Sequence, residues 1–158
     1  MSVLTTAGER LALLRRIRTV AIVGMSANPA RASNFVATYL AGKTDWTVRY
    51  VNPHEREIFG RPVYPDLTAL PDAPDVVDVF RRRDDLPDVV ADAISVGASA
   101  VWFQLGLVDD RAATTAADAG LDVVQDRCIK IEHARFAGGL HTAGFDTGVI
   151  DSRRQRLI

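Results

Sequence analysis

Short apolar runs alternate with longer amphipathic stretches along this chain, and the alternation predicts its architecture. Five predominantly apolar runs are predicted to be buried strands: Val20–Val23, Trp46–Val51, Val76–Phe80, Ala100–Leu105 and Leu121–Val124. Strands that are apolar on both faces are typical of a parallel sheet with helices on each side. The pattern therefore predicts an α/β fold that is Rossmann-like and doubly wound, with a mostly parallel five-stranded sheet and helices on both faces.

The amphipathic stretches between these runs predict the helices. Residues 9–18 place Leu11, Leu14 and Ile17 on one stripe, which is the pattern of a helix that covers a sheet. Further helices are predicted at residues 33–41, from Pro87 to Gly97, from Asp109 to Gly120 and at residues 127–136. The connection 52–70 contains three prolines and is expected to hold a short helical turn and little other regular structure.

The length of the chain, 158 residues, suits one domain with a sizeable core. We assign residues 1–136 to this domain. From residue 137 the composition changes to glycines, scattered polar residues and a basic end, which predicts an extended C-terminal tail at 137–158. A homodimer, or another protein partner for this tail, remains open at this point.

Composition and charge narrow the functional class. The formal net charge of −1 gives no basis for a protein that coats nucleic acid or an anionic membrane. Cys128 is the single cysteine, which excludes an internal disulfide framework and fits a reducing compartment. No apolar stretch approaches about 18 residues, and the N-terminus lacks the apolar region of a secretory signal. We therefore expect a cytoplasmic protein, and the spacing of the three histidines predicts no metal site.

Four of the predicted strands give way to segments rich in polar residues or glycine: Gly24–Arg31, Asn52–Arg56, Phe80–Arg83 and Gln104–Leu107. In a doubly wound sheet, ligands bind at the carboxyl ends of the strands. Any one of these segments could be an ordinary loop, but all four would share one rim. In the first of them a buried strand runs through a tight turn to a helix N-terminus, which is a phosphate-binding arrangement. The rim therefore predicts a common ligand that carries phosphate.

The same loops indicate which phosphate compound fits. A dinucleotide fingerprint, G-x-G-x-x-G, would need glycine where this chain has Ser26 and Pro29. NAD sites place Asp or Glu at the end of the second strand, whereas this strand is followed by Asn52 and Pro53. An acid would repel a phosphorylated ribose, while Asn tolerates it and His54 lies nearby. The ligand is therefore predicted to be NADP or coenzyme A, and NAD is the poorer fit.

Individual side chains allow more than one interpretation. Ser26 half matches the hydrolase motif G-x-S-x-G, but we expect it to offer its hydroxyl and N–H to a phosphate oxygen. Arg81 is the arginine expected to point over the site, and Phe80 could pack on an adenine ring or belong to the core. Asp78, inside a strand, needs a partner, and we expect a structural hydrogen bond to a neighbouring loop. Cys128 begins the last helix, where the dipole could lower its pKa, although a small buried residue is the favoured interpretation.

Five motifs occur in the order and spacing of a known family: TVAIVGMSANPARASNFVATYL, VNPHEREIFGRPVYPDLTALP, DVVDVFRR, AVWFQLG and VVQDRCIKIEHAR. From about Leu11 to Phe136 the chain closely resembles the stand-alone CoA-binding protein family. These are small Rossmann-like proteins similar to the N-terminal domain of the succinyl-CoA synthetase alpha subunit. The agreement of five separate motifs makes the resemblance specific.

The resemblance implies a set of CoA-binding residues. The CoA phosphates would be held in the first turn, by Gly24, Met25, Ser26, Asn28, Arg31 and Ser33. The adenosine and its 3′-phosphate would be bordered by Asn52, Pro53 and His54, with His54 or Arg56 in place of a lysine of the synthetases. The adenine or ribose would be flanked by Phe80 and Arg81, the pantetheine arm by Gln104, Leu105 and Gly106, and the thiol end by Cys128.

The resemblance further implies a small cytosolic protein that binds coenzyme A or an acyl-CoA. No nucleophile, general base and oxyanion donor occur together in the sequence, so no catalysis is evident. Two alternatives remain open from the residues, namely an NADP-linked oxidoreductase and a non-catalytic subunit of an acyl-CoA synthetase. A third is a regulatory protein that reports CoA status to a partner, through the tail or through pairing of Cys128 with the CoA thiol.

Overall fold

The computed structural model describes residues 2–137, in which helices and strands alternate. The helices are α1 (Ala7–Arg16), α2 (Ala32–Lys43), α3 (Leu86–Ser95), α4 (Asp110–Asp118) and α5 (Ile129–Ala137). The strands are β1 (Thr19–Val23), β2 (Thr47–Val51), β3 (Glu57–Ile58), β4 (Arg61–Tyr64), β5 (Val76–Val79), β6 (Ala100–Phe103) and β7 (Asp122–Val124). Short 3-10 turns occupy Leu67–Ala69 and Arg83–Asp85. Except for Ala137, the predicted C-terminal tail lies outside the described residues.

All seven strands form one sheet in the order β3-β4-β2-β1-β5-β6-β7. Every neighbouring pair is parallel except the β3–β4 hairpin. The strand order reverses direction at β1, because β2 lies on one side of it and β5 on the other. Such a switch point opens a crevice at the carboxyl ends of the strands, where ligands bind.

Helices cover both faces of the sheet. Buried residues of α1, α2 and α5 form one apolar core with one face of the strands, including Leu14, Leu40 and Ile129. Residues of α3 and α4, including Val90 and Ala116, form the second core with the other face. The prediction of a doubly wound, mostly parallel α/β fold is therefore confirmed. None of the described helices is long and apolar enough to cross a membrane.

The predicted number of strands, five, is wrong, because the connection 52–70 contains the β3–β4 hairpin. These strands are only two and four residues long, so neither produces an apolar run. The sequence signal that could have revealed them is Gly60 between the apolar residues Ile58 and Val63. In the structure Gly60 and Phe59 form a two-residue turn in which both have positive φ, 72° and 55°. Turns of this geometry join antiparallel strands, and Ile58 and Val63 bury their side chains on either side.

Candidate functional site

A cleft of about 750 Å³ lies at the carboxyl ends of β1, β5 and β6, beside the N-termini of α2 and α5. Among its lining residues are many that the sequence predicted for the site: Gly24, Ser26, Arg31, Ser33, Asn52, Phe80, Arg81, Gln104, Leu105 and Cys128. The lining also contains four residues that were not among the predicted ligand-binding residues, although Leu107 ends one of the predicted rim segments: Ala32, Val36, Leu107 and Ile131. Each of these four apolar residues follows a predicted site residue by one to three positions, which is the signal that could have found them.

Gly24 lets the chain turn sharply at the end of β1. Its φ is +84°, and a Cβ at this position would lie 2.2 Å from the main-chain oxygen of Phe80. Its N–H donates to the carbonyl of Val51 at 2.9 Å. The segment 24–31 between β1 and α2, called the β1 turn below, therefore contacts the ends of both neighbouring strands. Only glycine at position 24 permits this close approach to Phe80.

Polar side chains of the β1 turn bind mainly to the turn itself. The N–H of Ser26 donates to Ser33 Oγ at 3.0 Å, and Asn34 Nδ2 donates to the carbonyl of Ser26 at 3.0 Å. The N–H of Asn28 donates to Ser26 Oγ at 3.1 Å, and Asn28 Oδ1 accepts the N–H of Ala30 at 2.9 Å. These bonds hold the turn against the start of α2, so Ser26 and Asn28 shape the cleft.

The N-terminus of α2 faces the cleft without a cap. Arg31 is the N-cap residue, and its side chain makes no capping hydrogen bond. Within the part of the chain that the structure describes, the N–H groups of Ala32 and Ser33 donate to no acceptor. In contrast, Thr6 caps α1 and Asp109 caps α4 through their side-chain oxygens. Free N–H donors, the helix dipole and the Arg31 guanidinium together make this end of the cleft suitable for an anion.

Arg81 and Phe80 follow β5 and lie over the β1 turn. The N–H of Phe80 donates to the carbonyl of Val23 at 2.8 Å, and its ring packs partly against the core on the α1, α2 and α5 side. Arg81 forms an ion pair with Asp85 at 3.2 Å, and its side chain is 38% exposed. Both residues line the cleft. Phe80 thus packs on the core and is also accessible from the cleft, while its contact with an adenine ring stays a prediction.

The loop after β2 is tied to the β1 turn by Asn52. Its Nδ2 donates to the carbonyl of Met25 at 2.8 Å, and its Oδ1 accepts the N–H of His54 at 2.8 Å. The predicted residues Pro53 and His54 are exposed and do not line the cleft. Pro53 lines a smaller pocket of about 190 Å³ on the α3 side of Arg81. The structure therefore separates these two residues from the main cleft, while Asn52 lies at its edge.

Met25 and Gly106 are also absent from the cleft lining, as is Asn28. The side chain of Met25 is fully buried in the core, and its N–H donates to the carbonyl of Val51 at 3.3 Å. A direct ligand contact by the Met25 side chain is therefore excluded, because it points into the core. Gly106 is exposed, and its N–H donates to Asp126 Oδ1 at 2.8 Å, which uses the donor that a ligand would need.

Asp78 lies on β5, beneath the cleft, and is fully buried. Its Oδ1 accepts a hydrogen bond from Gln104 Nε2 at 2.5 Å, which confirms the predicted bond to a neighbouring loop. Among residues 2–137 its Oδ2 finds no hydrogen-bond partner. Burial raises the pKa of Asp78 to about 8, and the hydrogen bond from Gln104 opposes this only partly. The carboxyl group is therefore mainly protonated at neutral pH.

Cys128 directly precedes α5 and lines the cleft. Burial raises the pKa of its thiol, and the charge of Asp78 acts in the same direction, while main-chain donors of Ile131 and Lys130 oppose it. Desolvation thus outweighs the helix N-terminus, which agrees with the favoured interpretation of a small buried residue and not with the alternative of a thiol whose pKa is lowered by the helix dipole. No group of three or more metal-binding side chains occurs within residues 2–137.

Comparisons with known proteins show which family the chain is similar to. A family described as CoA binding domain matches residues 18–134. The uncharacterized protein YneT of Bacillus subtilis (strain 168) is 33% identical over 122 residues, which are 77% of this chain and 90% of that protein. A hypothetical protein from Pyrococcus horikoshii OT3 is 37% identical, with a TM-score of 0.79 over 85% of this chain and 94% of the other.

A more distant structure shows the same fold within a larger enzyme. The dinucleotide-forming acetyl-coenzyme A synthetase 1 of Ca. Korarchaeum cryptofilum is 20% identical, with a TM-score of 0.65 over 73% of this chain and 28% of the synthetase. At this identity the likeness extends to the fold alone. The match to residues 18–134 covers most of the chain, and the resemblance seen in its motifs is confirmed: the chain belongs to the CoA-binding domain family.

Proposed function

We propose that this protein binds coenzyme A or an acyl-CoA in the cleft, as a small binding protein without a reaction of its own. The observation that carries the proposal is the uncapped N-terminus of α2. Its free N–H groups at Ala32 and Ser33 open onto a cleft of about 750 Å³, which two arginines also line. Membership of the CoA-binding domain family then supports the identity of the anion.

The order of residues along the sheet edge fits an elongated ligand with one charged end. The β1 turn, α2 and Arg31 form the polar end, and Phe80 and Arg81 follow at β5. After Gln104, the lining supplied by the β6 loop and by the start of α5 is apolar and consists of Leu105, Leu107, Cys128 and Ile131. Coenzyme A has this distribution, because its nucleotide carries the phosphates and its pantetheine arm does not.

Binding without catalysis is part of the proposal because the nucleophilic groups of the cleft are not activated. Burial raises the pKa of the Cys128 thiol, which lowers the fraction of thiolate. The hydroxyl of Ser26 accepts the N–H of Asn28 and contributes to the turn. These groups support a site that holds a thioester or thiol without attacking it.

Calorimetric titration tests the proposal. We expect coenzyme A to bind, and Arg31→Gln to weaken binding about tenfold because a charged donor to phosphate is lost. Arg111→Gln on α4, on the opposite face of the sheet, is the matched control that removes the same charge and should leave the affinity unchanged. Dephospho-CoA in parallel measures the contribution of the 3′-phosphate.

Two outcomes would contradict the proposal. One is the absence of binding by coenzyme A at millimolar concentration. The other is an equal loss of affinity in Arg31→Gln and Arg111→Gln, which would indicate a general effect of charge instead of contact at the α2 N-terminus. Equal affinities for coenzyme A and dephospho-CoA would leave the cleft assignment intact but remove the 3′-phosphate from the recognised groups.

A further inference from the structure

We propose that the apolar end of the cleft binds the acyl chain of a coenzyme A thioester, and that the chain it prefers is short, apolar and uncharged. The inference rests on the proposed function and extends it, because it names the class of acyl group that the ligand carries. Leu107 and Ile131, which line this end, lie outside the set of CoA-binding residues that the resemblance implies.

Large apolar side chains remain exposed to solvent at this end of the cleft. Leu105 is 65% exposed and Ile131 is 47% exposed, and Val108, the neighbour of Leu107, is 40% exposed. These are three of the six large apolar side chains that are exposed within residues 2–137. Exposed apolar surface beside a cleft is typical of a ligand-binding site. A ligand group that covers it removes apolar surface from water, which favours binding.

Main-chain hydrogen bonds hold the loop after β6 in place. The N–H of Leu107 donates to the carbonyl of Gln104 at 2.8 Å, and the N–H of Gly106 donates to Asp126 Oδ1 at 2.8 Å. The N–H of Asp126 donates in turn to the carbonyl of Leu107 at 3.2 Å. Leu107 also packs against the core on the α3 and α4 side. The apolar surface is therefore formed before a ligand binds, which lowers the entropic cost of binding.

The charges of the cleft favour an acyl group without a carboxylate. Among the described residues that line the cleft, the charged ones are Arg31 and Arg81, and both belong to its polar end. Cys128 adds a neutral thiol to the apolar end, because burial raises its pKa. A carboxylate placed there would lose water without gaining a charged donor from the lining, which is costly. A methyl or methylene group has no such cost.

An acyl chain covers this surface better than the free thiol of coenzyme A does. With the thiol end at Cys128, as the resemblance implies, free coenzyme A ends in a single sulfur atom. Leu107 and Ile131 also line the cleft at this end, and a chain of a few carbon atoms adds the apolar surface needed to cover them. The apolar end is therefore matched to the part of the ligand that follows the sulfur.

Three thioesters test the inference by calorimetric titration: acetyl-CoA, butyryl-CoA and succinyl-CoA. We expect wild-type protein to bind butyryl-CoA about five- to tenfold more tightly than acetyl-CoA, because two more methylene groups leave water. Succinyl-CoA has an acyl chain of the same length as butyryl-CoA but ends in a carboxylate, and it should bind no more tightly than acetyl-CoA. Ile131→Lys places a cation at the apolar end and should reverse the preference between butyryl-CoA and succinyl-CoA.

Phe59→Lys is the matched control, because it introduces the same charge in place of an exposed apolar side chain. Phe59 is 57% exposed on the turn between β3 and β4, outside the cleft lining. This variant should keep the wild-type order of affinities. The inference is overturned if wild-type protein binds butyryl-CoA no more tightly than acetyl-CoA or succinyl-CoA, or if Ile131→Lys keeps the full preference for butyryl-CoA. Failure to bind coenzyme A and all three thioesters would instead overturn the proposed function.

Discussion

Asp78 is the residue whose chemistry differs most from that of its surroundings. In the unfolded chain its carboxyl group ionises near pH 3.8, whereas burial raises its pKa to about 8 in the folded protein. Between these values the folded protein holds a proton that the unfolded chain has lost. A rise in pH through this range therefore lowers the free energy of unfolding. The stability that the raised pKa contributes is fully present only below pH 3.8, the pKa of the unfolded chain.

Asp78→Asn should remove this pH dependence, because asparagine has a similar shape and does not ionise. We expect the free energy of unfolding of the variant relative to wild type to increase by about 1.4 kcal/mol for each pH unit between pH 5 and pH 7, since one bound proton is involved. Urea unfolding of both proteins at several pH values measures the difference. A constant difference across this range would show that the carboxyl group titrates alike in the folded and unfolded states.

At the scale of secondary structure, a buried ion pair joins the two helices at the ends of the described chain. Arg10 on α1 donates through Nε to Glu132 on α5 at 3.0 Å, and the two side chains are 6% and 3% exposed. The Nη1 of Arg10 also donates to the carbonyl of Thr5 at 3.0 Å. Because α5 carries Ile131 into the cleft lining, this pair links the N-terminal helix to one wall of the site.

Arg10→Met should lower the free energy of unfolding by about 3 kcal/mol, because it leaves the Glu132 carboxylate buried without its main partner. Arg16→Met on the same helix is the control, since Arg16 pairs with Asp122 and its side chain is 52% exposed. Solvent-exposed ion pairs contribute at most about 1 kcal/mol to the free energy of unfolding. Chemical denaturation of the two variants gives the comparison, and equal losses would show that the buried pair has no special role.

The elements that the sequence predicted correctly are those with a strong local signal. Each of the five apolar runs contains a strand of the sheet, and the turn after β1 leads to the start of α2. The β3–β4 hairpin was missed because strands of two and four residues have no periodic pattern to detect. The directions of individual side chains could not be predicted either. No local sequence pattern shows that the Met25 side chain enters the core or that the Asn52 side chain binds the turn after β1.

At the scale of the whole molecule, the cleft exists because parallel strands end at one edge of the sheet. The cleft brings together residues that are far apart in the chain. Four of them directly follow strands of the sheet, and Cys128 precedes α5: the four are Gly24, Asn52, Phe80 and Gln104. This is why the position of the site could be predicted from topology. Of the apolar lining, Leu105 and Cys128 were predicted, whereas Ile131 was missed because its place in the cleft depends on the packing of α5.

A ligand that binds across these elements should stabilise all of them together, because it would contact the segments after four strands and the starts of two helices. We expect coenzyme A at one hundred times its dissociation constant to add about 2.7 kcal/mol to the free energy of unfolding. For a domain of this size that corresponds to a rise in melting temperature of roughly 6 to 10 °C. Thermal unfolding with increasing coenzyme A measures the effect.

NADPH is the informative comparison in the same experiment, because it also carries a phosphorylated adenosine but ends in a nicotinamide ring. The apolar end of the cleft, with Leu105, Leu107 and Ile131, suits a flexible arm, and the β1 turn lacks the glycine pattern that admits a dinucleotide pyrophosphate. We therefore expect NADPH to leave the melting temperature unchanged. A rise with NADPH and none with coenzyme A would show that the cleft takes a nicotinamide dinucleotide, and both proposals made from it would then fall.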